Sequence, residues 1–523
     1  MRILFVEHVQ VTLAIEALSA YLKREGHEVR AFFDPALFAD SLAPIPALAR
    51  VFDYQRPLLD CVADYQPQLI CFSVVTDYFQ WALNRARAIK AYFDIPIVFG
   101  GIHPTSVPRE VLAYPEVDYV VVGEGEGALG ELARALEDGG SVTSIRNLGF
   151  RNGDVQINPL RPLITDLDSL PWPDKDVLAH VWPKLYRRRY HTIASRGCPN
   201  RCKYCCHSFL APMYKGLGPY YRARSVEDFI AELVEAKERY RPRSVLIHDN
   251  ALIVNRKWFR EFAEQYRRHV DIPYFCWISP DSIDEETVAL LKESHCTNAW
   301  VGITQAPGVK SDPGDRGRFD GAVVTALDLL RAANIFVVAD NIFGMPGQDG
   351  DDVRKLIRLY MDHPPDLTIA FFLRYYPKIP LIETALREGA VTAQQVREIE
   401  TRGSSHTFIL PDAMTDDKFR RLSNLLLFAG SLPRRVTSWL LAEKRRLRFV
   451  PKFPLWLVQM VFADFFAWIR FRKKRIPLIS THYETIWNYG IFALRRVFYR
   501  SRSKRRWPAI VEPAVRPHEV RET

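Results

Sequence analysis

The chain is poor in cysteine, in long apolar runs and in repeats, and each shortage closes off a class of protein. It has 523 residues and only 8 cysteines, too sparse for a disulfide scaffold. The N-terminus, MRILFVEHVQ, has one early arginine, an acidic Glu7 and no apolar stretch leading to a small-residue cleavage site, so it reads as a strand rather than a signal peptide. A cytoplasmic protein is expected. No internal repeat occurs, and the only biased tract is a basic tail. Hydrophobic residues make up 48% and charged residues 25%, the balance of a globular chain, and at about 150 residues per domain the length allows roughly three to four units.

The net charge of +10 is not spread evenly. From Arg434 to Trp507 there are 19 Lys plus Arg and 3 Asp plus Glu, a local net of +16, which leaves 52 against 58, or −6, for the rest. A basic chain generally points to nucleic acid or an anionic membrane; here that implication is confined to one C-terminal segment.

Short apolar runs alternate with amphipathic stretches over residues 1–140: Ile3 to Val6, Glu28 to Phe32, Leu69 to Val75, Ile97 to Phe99 and Tyr119 to Val122. The pattern predicts an α/β fold, a doubly wound, Rossmann-like domain with a parallel sheet covered on both faces. Ser73, Gly100, Gly101 and Gly123 follow these runs at the strand ends, where ligands of such sheets sit. Residues 141–190 read as a linker with one hairpin at Asn152-Gly153. Over 191–385 six further strand patterns, at Thr192 to Ala194, Ser244 to Ile247, Tyr274 to Ile278, Ala299 to Ile303, Phe336 to Ile342 and Leu367 to Phe372, alternate with helical ones. They predict a partial (β/α)6 barrel with its chemistry at the carboxyl-end mouth. Residues 386–523 form a basic, mainly helical C-terminal region.

The sharpest motif is Arg196-Gly197-Cys198-Pro199-Asn200-Arg201-Cys202-Lys203-Tyr204-Cys205. Three thiolates spaced Cys-x3-Cys-x2-Cys in one loop can hold three irons of a [4Fe-4S] cluster and leave the fourth open for chemistry. The alternative is a zinc site completed by Cys206 or His207.

With these cysteines after the first strand of a partial barrel, the sequence resembles the radical S-adenosylmethionine (SAM) superfamily. The resemblance implies that Cys198, Cys202 and Cys205 are the iron ligands, and that SAM chelates the open iron. An external one-electron reductant then drives its cleavage to a 5′-deoxyadenosyl radical that abstracts a substrate hydrogen. It further implies SAM contacts from Tyr204, from His248, Asp249 and Asn250, from Ser282 beside Asp281, and from Gly302 in Gly302-Ile303-Thr304-Gln305, with Gly344-Met345-Pro346-Gly347 as a later tip. The family often has Glu where Thr304 stands. His248 and Asn250 read equally as caps of the next helix, and Gly344 to Gly347 as a turn.

Val98-Phe99-Gly100-Gly101-Ile102-His103-Pro104, followed by Asp118 to Glu126, is similar to the cobalamin-binding domain that precedes the barrel in one radical SAM subgroup. This implies a cobalamin site at Ser73, Gly100, Gly101, Gly123, Glu124 and Glu126; a Rossmann-like scaffold without ligand is the alternative. The Asp-x-His-x-x-Gly motif that supplies a cobalt ligand in many cobalamin proteins is absent, so neither His8 nor His103 is assigned to cobalt. The subgroup resemblance implies an enzyme with [4Fe-4S], SAM and cobalamin that C-methylates a small or lipid-like substrate, or one that cyclises, rearranges or oxidises, or modifies RNA. Relatives that methylthiolate tRNA carry an N-terminal cysteine trio. Here that region has only Cys61 and Cys71, which argues against nucleic acid. Cys276 and Cys296 lie in apolar stretches and read as inert buried thiols.

After Ala385 the resemblance fades. Phe453 to Ile469 is apolar for 17 residues but contains Asp464, shorter than the roughly 20 residues a spanning helix needs. Basic flanks and terminal Trp residues suit a helix over 453–471 lying on an anionic leaflet, which would make 434–507 a peripheral contact with the cytoplasmic membrane; a core helix over the barrel is the alternative. Arg495-Arg496 and Arg500 to Arg506 continue the basic character, with a solvated tail as the alternative.

Overall fold

The computed structural model describes residues 1–8, 13–38, 45–179, 185–303, 320–346, 348–403, 417–430, 432–452 and 490–496. The first sheet contains β1 (Arg2–Glu7), β2 (Glu28–Phe33), β3 (Leu69–Ser73), β4 (Ile97–Gly100), β5 (Tyr119–Val121), β6 (Leu148–Asn152) and β7 (Asp154–Ile157), in the order β2-β1-β3-β4-β5-β6-β7. β1 to β5 are parallel, and the β6–β7 hairpin extends the sheet antiparallel through β5. Gly153, at φ +74°, makes its turn.

The strands read as continuous apolar runs because both faces are covered. Leu4, Val6, Ile70, Phe72 and Phe99 pack on one side with the helices Gln55–Tyr65 and Phe79–Lys90; Ile3, Phe5, Leu69, Cys71 and Val98 pack on the other with Leu13–Arg24 and Glu126–Asp138. The strand order reverses between β1 and β3, and a ligand crevice belongs beyond their carboxyl ends.

The second sheet is β8 (Arg189–Thr192), β11 (Ser244–Ile247), β12 (Tyr274–Ile278), β13 (Cys296–Gly302), β14 (Phe336–Phe343) and β15 (Leu367–Phe372), six parallel strands in sequential order. Between β8 and β11 the short strands β9 (Ser195–Arg196) and β10 (Arg222–Ala223) pair antiparallel. Helices follow the strands with side-chain caps from Ser225, Asn255, Asp284 and Asp349. The cap of the helix after β11 is therefore Asn255; neither His248 nor Asn250 plays that part.

The barrel core does not stop near residue 385. Leu422, Leu425, Leu426, Leu440, Leu441, Leu447 and Val450 are buried in it, so the helices Asp417–Phe428 and Arg434–Ala442 cover the barrel. Of the basic residues near the C-terminus, Arg496 is buried and Arg495 exposed, and Arg500 to Arg506 lie outside the described residues. Phe492 is buried against Phe33 and Tyr54, the Tyr54 hydroxyl donates to the Phe492 carbonyl at 2.8 Å, and Arg496 Nε donates to the Asp53 carbonyl at 2.6 Å. The segment 453–471, Thr304, Gln305 and Gly347 lie outside the described residues.

Candidate active site between the two sheets

The cysteine loop is launched by β9 and fixed from below. Gly197 has φ +83°, and a Cβ there would run into the Tyr220 carbonyl, so only glycine turns the chain here. Asp249, at the end of β11, accepts from the Ala194 amide at 2.8 Å and from the Ser195 hydroxyl. It is fully buried, and burial pushes its carboxyl up to about 6.

Cys198 and Cys202 are buried, Cys205 is half-buried, and none of the three forms a disulfide. The Cys205 amide donates to the Cys202 carbonyl at 2.9 Å, and the Ser208 amide to the Cys205 carbonyl at 3.0 Å, which folds the loop into the helix His207–Met213. Three soft thiolate donors on one turn fit an iron–sulfur cluster. The ligand atoms of Cys205, Cys206 and His207 lie within 4.8 Å of one another, the geometry of the zinc alternative. In that group, however, His207 Nδ1 is already 2.6 Å from the Tyr220 hydroxyl.

The six residues assigned to cobalamin come together. Ser73, Gly100, Gly101, Gly123, Glu124 and Glu126 line one cavity of about 300 Å³, beside apolar Phe5, Cys71 and Val121 and closed by Ile193 and Arg196 from the barrel side. Gly101 (φ +96°) leaves no room for a side chain, since a Cβ would sit 2.8 Å from the Val74 amide nitrogen. A mostly apolar slot walled by glycine backbone fits part of a bulky cofactor. His8 is buried against Tyr78 and Trp81, with Nδ1 3.0 Å from the Asp34 carbonyl, and burial pushes His103 down to about 4. Neither histidine lines the cavity.

Glu124 and Glu126 also do something the sequence did not suggest. Arg196 reaches Glu126 at 2.5 Å and Glu124 at 3.3 Å, and Arg222 reaches Glu124 at 2.8 Å. The Glu126 carboxylate is only 6% exposed and that of Glu124 16%. Burial pushes Glu124 up, but its hydrogen bond to Arg222 and the charges of Arg196 and Arg222 outweigh that and hold it below the ordinary carboxylate range. This four-membered clamp joins the cavity wall to the strand two positions before Cys198. Further interdomain ties are Asp77–Arg374 at 2.5 Å and the buried pair Lys175–Glu16, with Lys175 also donating to the His191 carbonyl at 2.6 Å. None had a local signal; Arg196 and Glu126 are 70 positions apart.

The residues assigned to SAM come from several elements of the barrel. Consecutive residues leaving a strand point in different directions: Asn250 is exposed, Asp249 is buried under the loop, and only His248 faces the barrel lumen. Its Nε2 lies 2.8 Å from His191 Nδ1, and its ring stacks between His191 and Trp277, each at 5.1 Å, with Trp300 a further 5.2 Å on. Burial, then the Lys175 and Arg189 charges, push His248 down to about 4. Tyr204 packs with Met345, Leu373 and Ile379. The Ser282 hydroxyl closes a turn onto the Ser279 carbonyl at 2.7 Å, and Gly302 ends β13 opposite Asp340. Cys276 and Cys296 are buried with their sulfurs 4.0 Å apart.

The fold and site define a protein of two α/β units whose strand ends meet, one offering a glycine-walled cavity and the other a three-cysteine loop. Residues 3–133 match the B12 binding domain and residues 192–360 the Radical SAM superfamily, and the chain is a radical SAM protein with an N-terminal B12-binding domain. Its cofactors are accordingly cobalamin, a [4Fe-4S] cluster and SAM. It is 25% identical over 346 residues to an uncharacterized methyltransferase of Pyrococcus horikoshii, covering 65% of this chain and 74% of that one. It is 25% identical over 341 residues to the anaerobic magnesium-protoporphyrin IX monomethyl ester cyclase of Cereibacter sphaeroides, covering 62% of this chain and 54% of the cyclase, so it spans about half the length of that relative. The radical SAM methyltransferase TsrM of Kitasatospora setae, solved with cobalamin and a [4Fe-4S] cluster, shares the fold at a TM-score of 0.59 and 20% identity over 74% of this chain and 78% of its own.

Proposed function

We propose that the chain methylates an unactivated carbon of a small or lipid-like substrate as a cobalamin-dependent radical SAM enzyme. The observation that carries this reading is the Arg196 clamp, which makes the cavity of the first domain and the launching strand of the cysteine loop share one wall. When bound, the cluster with SAM supplies a hydrogen-abstracting radical and cobalamin a transferable methyl group. Cys198, Cys202 and Cys205 hold the iron, while Asp249 keeps the strand ahead of them in place. Ser73 and the three glycines admit cofactor to the cavity, with the carboxylates of Glu124 and Glu126 at its rim. In the lumen, Trp277 and Trp300 present apolar rings that limit water, and the lowered basicity of His191 and His248 keeps both imidazoles uncharged at neutral pH. Tyr204, Ser282 and Gly302 remain the proposed SAM contacts, together with His248.

Cyclisation is the second reading, favoured by the similarity to the cyclase. The two are separated by the fate of SAM when cell extract is supplied as substrate source and the chain is given an external one-electron reductant. Methylation yields S-adenosylhomocysteine together with 5′-deoxyadenosine and a product heavier by one CH2 unit; cyclisation yields 5′-deoxyadenosine alone. We also infer work at a cytoplasmic, anionic membrane face through residues 434–507, supported by their local charge. No helix among the described residues is long and apolar enough to cross a membrane.

A further inference from the structure

The helix Arg434–Ala442 and the turn Lys444–Phe449 form a rigid platform on the flank of the barrel. Their inner residues Leu440, Leu441 and Leu447 are buried in the barrel core. Arg354 ties down the Leu441 carbonyl at 3.1 Å, and Arg421 the carbonyls of Leu447 at 3.2 Å and Arg448 at 2.7 Å. The outer side is apolar and aromatic although it faces solvent. Val436 is 43% exposed, Trp439 47% and Phe449 59%. Trp439 and Phe449 stack on each other at 5.6 Å, with the Arg446 guanidinium 5.1 Å from the Trp439 ring and that of Arg448 5.1 Å from the Phe449 ring.

A fixed, solvent-facing aromatic pair costs hydration that a surface normally avoids. Residues 434–452 carry seven Lys or Arg and one acid, Glu443, so the platform stays basic even though Arg446 pairs with Glu443, and Arg434 and Lys452 pair with Asp362 and Asp417. Aromatic rings among arginines suit the interface of an anionic bilayer, where rings sit at headgroup depth and guanidinium groups meet phosphate. The ring faces are engaged by each other and by arginine, which leaves edges to insert between lipids rather than open faces on which a nucleic-acid base would stack. The platform also leads directly into the apolar run that begins at Phe453.

We propose that Trp439 and Phe449, framed by Arg446 and Arg448, are the element by which this chain inserts into an anionic lipid surface. This rests on the membrane-facing reading above. The test uses the full chain sedimented with phosphatidylcholine vesicles, with and without phosphatidylglycerol. Binding is expected only with phosphatidylglycerol, and the double variant Trp439→Ala/Phe449→Ala should lower the partition coefficient about tenfold while its thermal melt stays unchanged. Arg446→Gln/Arg448→Gln, which spares the rings, should weaken binding and flatten its salt dependence. If the chain binds anionic vesicles and both variants bind equally well, the platform is refuted while the membrane reading survives. If the chain ignores the vesicles, both fall. If both variants instead lose binding to a single-stranded RNA oligonucleotide that outcompetes the vesicles, the surface belongs to nucleic acid and the proposal is overturned.

Discussion

Removing Arg196 should loosen the cysteine loop through a charge it leaves behind in the wall of the first domain. Arg196 holds Glu126 at 2.5 Å and shares Glu124 with Arg222, so Arg196→Met orphans Glu126, which is 6% exposed, but not Glu124. At an effective dielectric of about 20 and about 4 Å between charge centres the pair is worth about 4 kcal/mol before desolvation. Breaking one side of such a buried pair costs about 3 kcal/mol. Glu126→Gln should cost somewhat less, because the amide still accepts one hydrogen bond from Arg196. The double variant should cost less than the two single ones together, since it buries no unpaired charge. Hydrogen–deuterium exchange over residues 193–205 reads this locally. A loss of about 3 kcal/mol accelerates exchange about a hundredfold, and the double variant should exchange no faster than Arg196→Met. Additive effects, or unchanged exchange in Arg196→Met, would show that the clamp does not hold the loop.

Three other outcomes follow from the same geometry. The His248 imidazole, lowered to about 4 from 6.5, is uncharged when folded, so the unfolded chain takes up protons first as pH falls. Stability should therefore drop between about pH 6.5 and pH 4 by about 3 kcal/mol, a loss that belongs jointly to the His191–His248 pair and that His248→Phe should reduce in urea titrations. Asp249→Ala frees the Ala194 amide and the Ser195 hydroxyl and should lower iron content after reconstitution, with Asp249→Asn retaining more; equal iron in all three proteins would refute its positioning role. Gly101→Ala puts a Cβ against Val74 at positive φ, at a cost of about 1–3 kcal/mol, and should weaken cobalamin binding by absorbance titration without changing iron content.

The sequence was most legible where burial is complete. β12 matches its apolar run Tyr274 to Ile278 residue for residue, because a strand covered on both faces leaves no polar position to blur the ends. β8 was misplaced by three residues at its start: Arg189 and His191 face the lumen and hide the strand behind polar side chains. The hairpin at Asn152-Gly153 was legible, but that it extends the first sheet was not, since pairing with β5 leaves no trace in a two-residue turn. In the site, the cavity could be read from glycines at strand tips, a local signal. The clamp could not, because it joins residues far apart in the chain whose charges look like ordinary surface. His248, Asp249 and Asn250 were grouped as neighbours in sequence, whereas a strand end sends them to lumen, core and solvent.

That one wall joins a cobalamin cavity to a cluster that cleaves SAM is tested by anaerobic reconstitution of the full chain. Iron, sulfide and cobalt are counted, and 5′-deoxyadenosine is followed after adding SAM and a one-electron reductant. About four iron and four sulfide per chain are expected, with bound cobalamin and 5′-deoxyadenosine that disappears when Cys198, Cys202 and Cys205 are replaced together by Ala. Bound zinc without SAM cleavage would contradict this.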